Sequence, residues 1–269
     1  MKGRRMLGAI TGDIVGSIYE GHNQIYEGHN HKSKDFPFFG QGCTFTDDTV
    51  CTIAVADCLM NDGDFADFLR RYVRKHPNRG YGGMFREWAG SNMGPYNSWG
   101  NGSAMRVSPV AHVARDEQEL LDLAEQTSVV THNHPDAVAG AQATALTMWM
   151  AKFGIDVGAI REEISNRFDY NLSPSVDDIR PSYRFDISCA GTVPQAITCA
   201  LEGTDYEDAV RNAISIGGDA DTIACITGGI AEVMFGLPDE IAEASLGYLT
   251  DDLIEVVDRF QSTKEETFP

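Results

Sequence analysis

Hydrophobic residues recur at helical spacing along almost the whole chain. In segment 64–76, Leu69, Tyr72 and Val73 fall on one face of a helix that Asp64 can cap. Very few segments alternate hydrophobic and polar residues in the manner of a β-strand. The pattern predicts helices over residues 6–19, 50–60, 64–76, 81–89, 107–114, 116–128, 137–153, 156–168, 187–201, 205–216, 223–235, 238–246 and 251–260.

The segments between these helices are interpreted as loops rather than domain linkers. Residues 32–44, 91–102 and 169–186 contain proline and mixed polar residues, but no shift in composition separates one part of the chain from another. We therefore predict a single all-α domain, residues 1–269, in which many short helices pack their hydrophobic faces around a few buried ones.

The charge of the chain narrows the class of partner. It has 21 basic and 40 acidic residues, a formal net charge of −19 over 269 residues. This balance is typical of a soluble protein, and it argues against general binding to nucleic acid or to a membrane surface, which need basic patches. An anionic ligand would have to be held by local features such as metal ions, helix N-termini or a few arginines.

Six cysteines are scattered along the chain, mostly within hydrophobic segments, and no two form a C-x-x-C pair. Free cysteine in such segments behaves as a small hydrophobic residue, so we expect neither a zinc site nor a disulfide framework. A reducing cytoplasm is the compartment that fits this usage. Asp13 interrupts the first hydrophobic run, which argues against a signal peptide, and no run has the length of a membrane span.

Two carboxylates and a hydroxyl stand together before the predicted helix 223–235. Asp219, Asp221 and Thr222 follow two glycines, in a stretch that predicts a tight turn feeding a buried helix. A helix cap needs one such side chain, and here there are three. Carboxylate and hydroxyl oxygens are the ligands that Mg²⁺, Mn²⁺ and Ca²⁺ prefer, so the surplus indicates a metal site.

A second cluster has the same layout. Thr46, Asp47, Asp48 and Thr49 precede the predicted helix 50–60. Either cluster alone is more typical of a helix cap than of a metal site. Two clusters with one layout, far apart in sequence, reverse that judgement, because folded together they offer about six oxygen ligands for one or two octahedral ions.

A glycine-rich turn opens the predicted helix 107–114. Such a turn exposes N–H groups that can bind an anion, and an arginine adds a fork for phosphate. The stretch matches neither the P-loop nor the dinucleotide-binding pattern, so a plain turn with a surface arginine remains the alternative. The residues are Gly100, Asn101, Gly102, Ser103, Ala104, Met105 and Arg106.

Histidines occur in two polar segments. His132 and His134 lie in the turn before helix 137–153, where each can contact a ligand or serve as a hydrogen-bonded structural residue. Elsewhere, segment 19–23 recurs as 26–30, and we interpret this repeat as a loop extended by a short duplication. The histidines around it can bind a transition metal, although a solvated loop is the preferred interpretation; they are His22, His29 and His31.

Taken in order, these motifs resemble one known family. Gly12-Asp13, the TDDT of residues 46–49, the turn 100–106 and the GDADT of residues 218–222 appear in this sequence, with Thr131-His132 before a proline. The combination closely resembles the ADP-ribosylglycohydrolase family over nearly the whole chain. The paired TDDT and GDADT motifs are the most specific part of the resemblance.

The resemblance implies an all-α fold with a binuclear metal site at the base of a cleft. The family hydrolyses the bond between ADP-ribose and an acceptor at the anomeric carbon. The implied cofactors are two divalent cations, Mg²⁺ or Mn²⁺, and the same oxygens suit both. The implied metal ligands are Thr46, Asp47, Asp48, Asp219, Asp221 and Thr222.

The resemblance also implies how the substrate is held. His132 would face the ligand, and Glu20 would approach the metals or the scissile bond, with Glu27 as a rival because of the duplication. Asp13 would brace the site from behind the ligands. The residues around the diphosphate would be Gly100, Asn101, Gly102, Ser103, Met105 and Arg106.

The chemistry of these residue types agrees with glycosidic hydrolysis, in which carboxylates manage protons and water. Asp47, Asp219 and Glu20 are the candidate catalytic carboxylates, because one of them can take a proton from an attacking water. Tyr96 or Trp99 can stack on adenine, although packing within the loop is equally compatible with each.

Two other functions remain open at this point. A phosphoesterase acting on ADP-ribose-type nucleotides would use the same metals, and a non-catalytic protein would bind ADP-ribose without turnover. The acceptor also stays open among arginine, serine, an acetyl ester and a modified nucleotide base, on a protein or a small molecule. Loops 91–99 and 169–186 are the candidate acceptor surface. We expect a monomer.

Overall fold

The computed structural model describes residues 5–20 and 31–263, and these residues form fifteen helices. One isolated β-bridge, between Gly100 and Ser188, is the only strand-like pairing in that part of the chain. The all-α prediction is therefore confirmed. The helices are α1 (Leu7–Gly16), α2 (Asp47–Met60), α3 (Phe65–Lys75), α4 (Gly83–Gly90), α5 (Gly102–Met105), α6 (Ser108–Val113), α7 (Glu117–Val129), α8 (Pro135–Lys152), α9 (Val157–Phe168), α10 (Val176–Ile179), α11 (Cys189–Leu201), α12 (Tyr206–Ser215), α13 (Ala220–Phe235), α14 (Asp239–Leu246) and α15 (Asp251–Ser262).

Helices α1 and α13 form the centre of the molecule. Every residue of α1 is buried, as is α13 from its start to Glu232. The two helices approach closely because glycines face the partner backbone: a Cβ on Gly12 would lie 1.9 Å from the carbonyl oxygen of Ala224, and one on Gly16 would lie 2.5 Å from the Cα of Asp221. This contact brings Asp13 on α1 towards the first turn of α13.

The two helices that carry the acidic clusters begin a few residues earlier than the hydrophobic pattern predicts, so each cluster spans the N-cap and the first turn. Helix α2 begins at Asp47 rather than at residue 50, and α13 begins at Ala220 rather than at residue 223. In α2, Thr46 is the N-cap, and its hydroxyl accepts from the amide of Asp48. Acidic residues in the first turn interact favourably with the helix dipole, so the polar stretch extends the helix instead of preceding it.

Two other boundaries differ from the sequence-based expectation. The predicted loop 169–186 contains the short helix α10, which is stabilised by a capping box between Ser175 and Asp178. The predicted helix 187–201 begins at Cys189, because Ser188 is the N-cap and accepts from the amide of Gly191.

Some predictions fall outside the described residues. They include Glu27, His22, His29 and the repeat at 26–30. Within the described part, all six cysteines are buried and free of disulfide bonds. No helix in residues 5–20 and 31–263 has both the length and the hydropathy needed to cross a bilayer.

Candidate active site

The first turns of α2 and α13 meet at the floor of a cavity of about 510 Å³. The glycine-rich turn before and within α5 forms another wall. Of the residues predicted from the sequence to form the site, Thr46 and Ser103 do not line the cavity. Those that line it are Glu20, Asp47, Asp48, Tyr96, Trp99, Gly100, Asn101, Gly102, Met105, Arg106, His132, Asp219, Asp221 and Thr222.

Carboxylate oxygens converge in two overlapping groups on this floor. One oxygen each from Asp13, Asp48 and Asp221 lie within 4.8 Å of one another, and so do oxygens of Glu20, Asp219 and Asp221. The Oδ1 atom of Asp48 is buried and has no hydrogen-bond partner among residues 5–20 and 31–263. Converging oxygens with a buried unpaired acceptor fit a hard divalent cation.

The electrostatics of the floor support the same interpretation. Burial, followed by repulsion from neighbouring carboxylates, raises the pKa of Asp48 and Asp221 well above the usual value. The same causes raise the pKa of Glu20 to about 7 and that of Asp47 to about 8. A bound cation would offset this repulsion and restore the carboxylates to their charged forms.

Asp13 orients the first cluster through hydrogen bonds to Thr46 and Thr49. Its Oδ1 atom accepts from the Thr46 hydroxyl at 2.6 Å, and its Oδ2 atom accepts from the amides of Thr46 at 2.9 Å and Thr49 at 3.1 Å. The hydroxyl of Thr49 donates to the same Oδ2 atom. Both oxygens are thus engaged in orienting the start of α2, which is the supporting position expected from the sequence.

The second cluster is held from the opposite wall. The Nδ2 group of Asn101 donates to Oδ2 of Asp219 at 2.6 Å and to the hydroxyl of Thr192 at 3.1 Å. Gly217 and Gly218 precede Asp219 with φ angles of 70° and 84°, which is the left-handed region. At Gly218 a Cβ would also lie 2.5 Å from the Tyr183 ring.

The glycine-rich turn is tied to the start of α11. The amide of Asn101 donates to the carbonyl of Ile187 at 2.8 Å, and the amide of Cys189 donates to the carbonyl of Trp99 at 3.0 Å. The hydroxyl of Ser103 is buried and donates to the carbonyl of Ala137 at 2.8 Å. The side chains of Asn101 and Ser103 therefore bond to the protein itself, while Gly100 and Gly102 line the cavity beside His132.

Arg106 and His132 lie side by side at the back of the cavity. Arg106 has no exposed surface, and its Nη2 group donates to the carbonyl of Thr127 at 2.7 Å and the hydroxyl of Thr131 at 2.9 Å. Burial lowers the pKa of its guanidinium. The ring of His132 lies 6.0 Å from that of Tyr96, measured between centroids.

The rim of the cavity contains residues that the sequence did not single out. Met84 and Ile187 are about half exposed, as is Trp99. Trp99 was predicted from the sequence, whereas Met84 and Ile187 were not. The three hydrophobic side chains lie on separate segments, so only the fold brings them together. The glycine pair before Met84 is the one local signal of a turn near a cavity.

The two loops expected to contact the acceptor line different cavities in the structure. Residues 96–99 line the cavity that contains the acidic clusters. Much of loop 169–186 lines a different cavity, of about 630 Å³, together with parts of α8 and α11. Residues 96–99 thus border the acidic clusters, and the assignment of either loop to the acceptor surface stays a prediction.

Comparison with known proteins adds a family assignment to this geometry. The family model for ADP-ribosylglycohydrolase matches residues 5–267. The ADP-ribosylhydrolase ARH3 of Homo sapiens is 24% identical, over 93% of this chain and 90% of that protein. The ADP-ribosylarginine hydrolase Tri1 of Pseudomonas putida (strain GB-1) is 28% identical, over 86% of this chain and 70% of that protein.

A solved structure of an ADP-ribosylglycohydrolase-related protein complex has the same fold. It aligns with a TM-score of 0.66 at 22% sequence identity, and the match covers 97% of this chain and 95% of that chain.

Proposed function

This chain belongs to the ADP-ribosylglycohydrolase family, and we propose that it is a metal-dependent hydrolase that cleaves the glycosidic bond between ADP-ribose and an acceptor. The observation that carries the proposal is the meeting of the two acidic helix starts beneath one cavity, with a glycine-rich turn beside them. A cation site and an anion-binding turn in one cavity suit a substrate that has both a ribose diol and a diphosphate.

The oxygens on the floor would hold two divalent cations, Mg²⁺ or Mn²⁺. The ligand set proposed from the sequence includes Asp48, whose buried Oδ1 atom has no hydrogen-bond partner in the described part of the chain. Bound cations supply Lewis-acid polarisation and a water of lowered pKa. The remaining ligands would be Thr46, Asp47, Asp219, Asp221 and Thr222.

The protein's own carboxylates manage the proton of the attacking water. Asp219 is held by Asn101, so it serves best as a fixed ligand. Asp47 lines the cavity without belonging to either converging oxygen group, and Glu20 closes one of the groups from the side of α1. Asp47 and Glu20 are therefore the stronger candidates for the general base.

The opposite part of the cavity would receive the nucleotide. The amides of Gly102 and Ser103 make no hydrogen bond to any described acceptor, so they can donate to the diphosphate. Trp99, about half exposed at the rim, offers a face for adenine. Tyr96 lies deeper, beside His132, and would border the ribose or the diphosphate.

Product analysis by mass spectrometry tests the proposal. The protein is mixed with ADP-ribosyl-arginine, an ADP-ribosyl-serine peptide and O-acetyl-ADP-ribose, each with Mg²⁺, with Mn²⁺ and with EDTA. ADP-ribosyl-arginine comes first because the similar Tri1 is an ADP-ribosylarginine hydrolase. We expect metal-dependent release of intact ADP-ribose from at least one substrate.

Other products would contradict the proposal in distinct ways. Release of AMP or phosphate would indicate a phosphoesterase. Binding of ADP-ribose without release from any substrate, in protein that has been shown to bind Mg²⁺ or Mn²⁺, would indicate a binding protein.

A further inference from the structure

The orientation of His132 is fixed by its own backbone and by two aromatic rings. Its amide donates to the carbonyl of Ser128 at 2.8 Å, and its carbonyl accepts from the Ser128 hydroxyl at 2.7 Å. The ring centroid lies 6.5 Å from that of Phe85 and 6.0 Å from that of Tyr96. The imidazole therefore presents a defined edge to each neighbour.

A hydroxyl joins this imidazole to a buried guanidinium. The Nδ1 atom of His132 lies 2.7 Å from Oγ1 of Thr131, and that oxygen accepts from Nη2 of Arg106 at 2.9 Å. These are the two side-chain partners of Oγ1 in the described part of the chain. A guanidinium can only donate, and the described residues offer the Thr131 hydroxyl no acceptor other than Nδ1. If Nδ1 carried the proton, Oγ1 would accept twice and its own buried proton would be left without an acceptor, so donation from the hydroxyl to Nδ1 is the arrangement that satisfies every group.

The proton of the neutral imidazole then resides on Nε2. Burial, with the charge of Arg106 as a further cause, lowers the pKa of His132 well below its usual value, so the ring stays neutral. Nδ1 is the acceptor in the bond to Thr131, which leaves Nε2 as the N–H group. Which nitrogen carries the proton follows from hydrogen-bond accounting alone.

The Nε2 edge faces the glycine-rich turn. A Cβ on Gly102 would lie 2.9 Å from Nε2, and one on Gly100 would lie 3.6 Å from it. Nε2 makes no hydrogen bond to a described protein atom, and His132 lines the cavity. Its N–H group thus lies against Gly100 and Gly102, at the wall of the cavity that the turn forms.

We infer that Arg106 and Thr131 are positioning residues that hold His132 as its neutral Nε2–H tautomer, so that it donates a hydrogen bond to an anionic ligand at the turn. The inference depends on the proposed function only for the identity of that ligand, a nucleoside diphosphate sugar. Arg106 then acts on the ligand through two other residues. It also lines the cavity, so the direct phosphate contact that the sequence suggests stays a prediction.

The tautomer can be read by nuclear magnetic resonance of the full chain, labelled with ¹⁵N at histidine and free of nucleotide. Two-bond ¹H–¹⁵N correlations distinguish the protonated ring nitrogen from the unprotonated one, and His132→Gln identifies the signals. We expect Nδ1 of His132 to be unprotonated and Nε2 to be protonated. A protonated Nδ1 in the unmodified protein would overturn the inference, whatever ligand the protein binds.

Three substitutions test the relay. Arg106→Met frees the Thr131 hydroxyl to accept, so the Nδ1–H tautomer should appear. Thr131→Val should produce a mixture of tautomers, whereas Thr131→Ser keeps the hydroxyl and should keep the Nε2–H form. If the Arg106→Met variant does not fold, because Arg106 is buried, the comparison of Thr131→Val with Thr131→Ser still tests the relay. An unchanged His132 spectrum in Thr131→Val would contradict the relay.

His134 is the internal control for these spectra. Its Nδ1 atom accepts from the amide of Asp136 at 3.2 Å, independently of Thr131, so its signals should not change in any of the three variants.

Titration with ADP-ribose connects the tautomer to the ligand. We expect the Nε2–H proton of His132 to move downfield on binding, and Thr131→Val to bind ADP-ribose roughly 3- to 10-fold more weakly, which is the effect of one hydrogen bond. Thr131→Ser should bind as the unmodified protein does. If ADP-ribose does not bind at all, the proposed function fails, while the tautomer of the free protein still stands or falls by the first spectrum. Binding that leaves the Nε2–H signal unmoved would contradict the donor role.

Discussion

The two acidic clusters have nearly the same local sequence and the same place at a helix start, but they are held by different parts of the protein. The first, at the start of α2, rests on Asp13, a buried carboxylate of the central helix α1. The second, at the start of α13, rests on Asn101, an amide in the glycine-rich turn that borders the cavity.

The first cluster is therefore supported by the protein core, whereas the second is supported by a turn proposed to bind the ligand. Asp13 forms part of the core and accepts four hydrogen bonds that orient α2, so the first cluster is as rigid as the fold. Asn101 instead connects the cation ligands to the turn proposed to bind the diphosphate. Movement of that turn would be transmitted to Asp219, so the second cluster can respond to the ligand.

The largest effect should come from removing a ligand from either cluster. We expect Asp219→Ala and Asp47→Ala each to lower the rate of ADP-ribose release by on the order of 10³-fold or more, because both groups belong to one catalytic unit. Circular dichroism should show an intact helical fold. An Asp219→Ala protein with normal activity would overturn the metal assignment.

The next effect should distinguish the supports of the two clusters. Asp13→Asn leaves one acceptor oxygen where two now accept, and brings an amide group against N–H and O–H donors. We expect a loss of about 2–4 kcal/mol in the free energy of unfolding, measured by urea denaturation. A stability within about 0.5 kcal/mol of the unmodified protein would show that Asp13 is not part of the scaffold.

The matching change at the second cluster should affect metal binding more than folding. We expect Asn101→Ala and Thr192→Val to weaken Mg²⁺ or Mn²⁺ binding by about 10- to 100-fold, as loss of a group that orients a ligand usually does. Isothermal titration calorimetry gives the affinity, and urea denaturation under EDTA should show a change below about 1 kcal/mol. A loss of stability equal to that of Asp13→Asn would remove the distinction between the clusters.

The last prediction concerns His112, which lies near Glu232 towards the far end of α13 and provides a reference away from both clusters. His112 is buried, and its Nε2 atom accepts from the amide of Met6 at 3.3 Å. Burial, with Lys152 and Arg5 as further causes, lowers the pKa of His112 to about 3. The carboxylate of Glu232 lies 3.9 Å from Nε2.

The sign of the resulting pH dependence follows from proton uptake. Below about pH 6.5 an unfolded chain protonates this histidine and the native protein does not, so stability falls as pH decreases towards 3, by up to about 1.4 kcal/mol per pH unit. We expect His112→Gln to reduce the slope of the unfolding free energy against pH. The reduction should correspond to about one proton fewer taken up on unfolding, or up to about 1.4 kcal/mol per pH unit. The Thr192→Val variant should keep the slope, and a steep slope that survives in His112→Gln would refute the assignment.

The sequence predicts the helices well because each buries a stripe of regular period, and the periodic part of a helix is encoded locally. It misplaces the starts of α2 and α13 by about three residues, since Asp and Thr serve equally as caps and as first-turn residues. The short helix α10 was missed, although the Ser175–Asp178 spacing of its capping box is visible in the sequence.

The residues of the candidate site also differ in how well the sequence predicts them. The acidic clusters are compact motifs whose shared layout indicates that they belong together. The glycine-rich turn is a weak signal by itself, and only the family resemblance joins it to the clusters. The rim residues Met84 and Ile187 and the relay from Arg106 to His132 join segments that are far apart in sequence. No local pattern specifies such contacts, because they depend on how the helices pack.

The packing of α1 against α13 also sets an order of events during synthesis. Helix α1 is synthesised before the backbone it packs against, around Ala224, and most of the helices lie between the two. Until α13 has been made, α1 must remain without its main partner, and Asp48 and Asp221 cannot meet. A nascent chain therefore cannot assemble the proposed cation site before α13 is synthesised, and metal cannot stabilise the fold through that site until then.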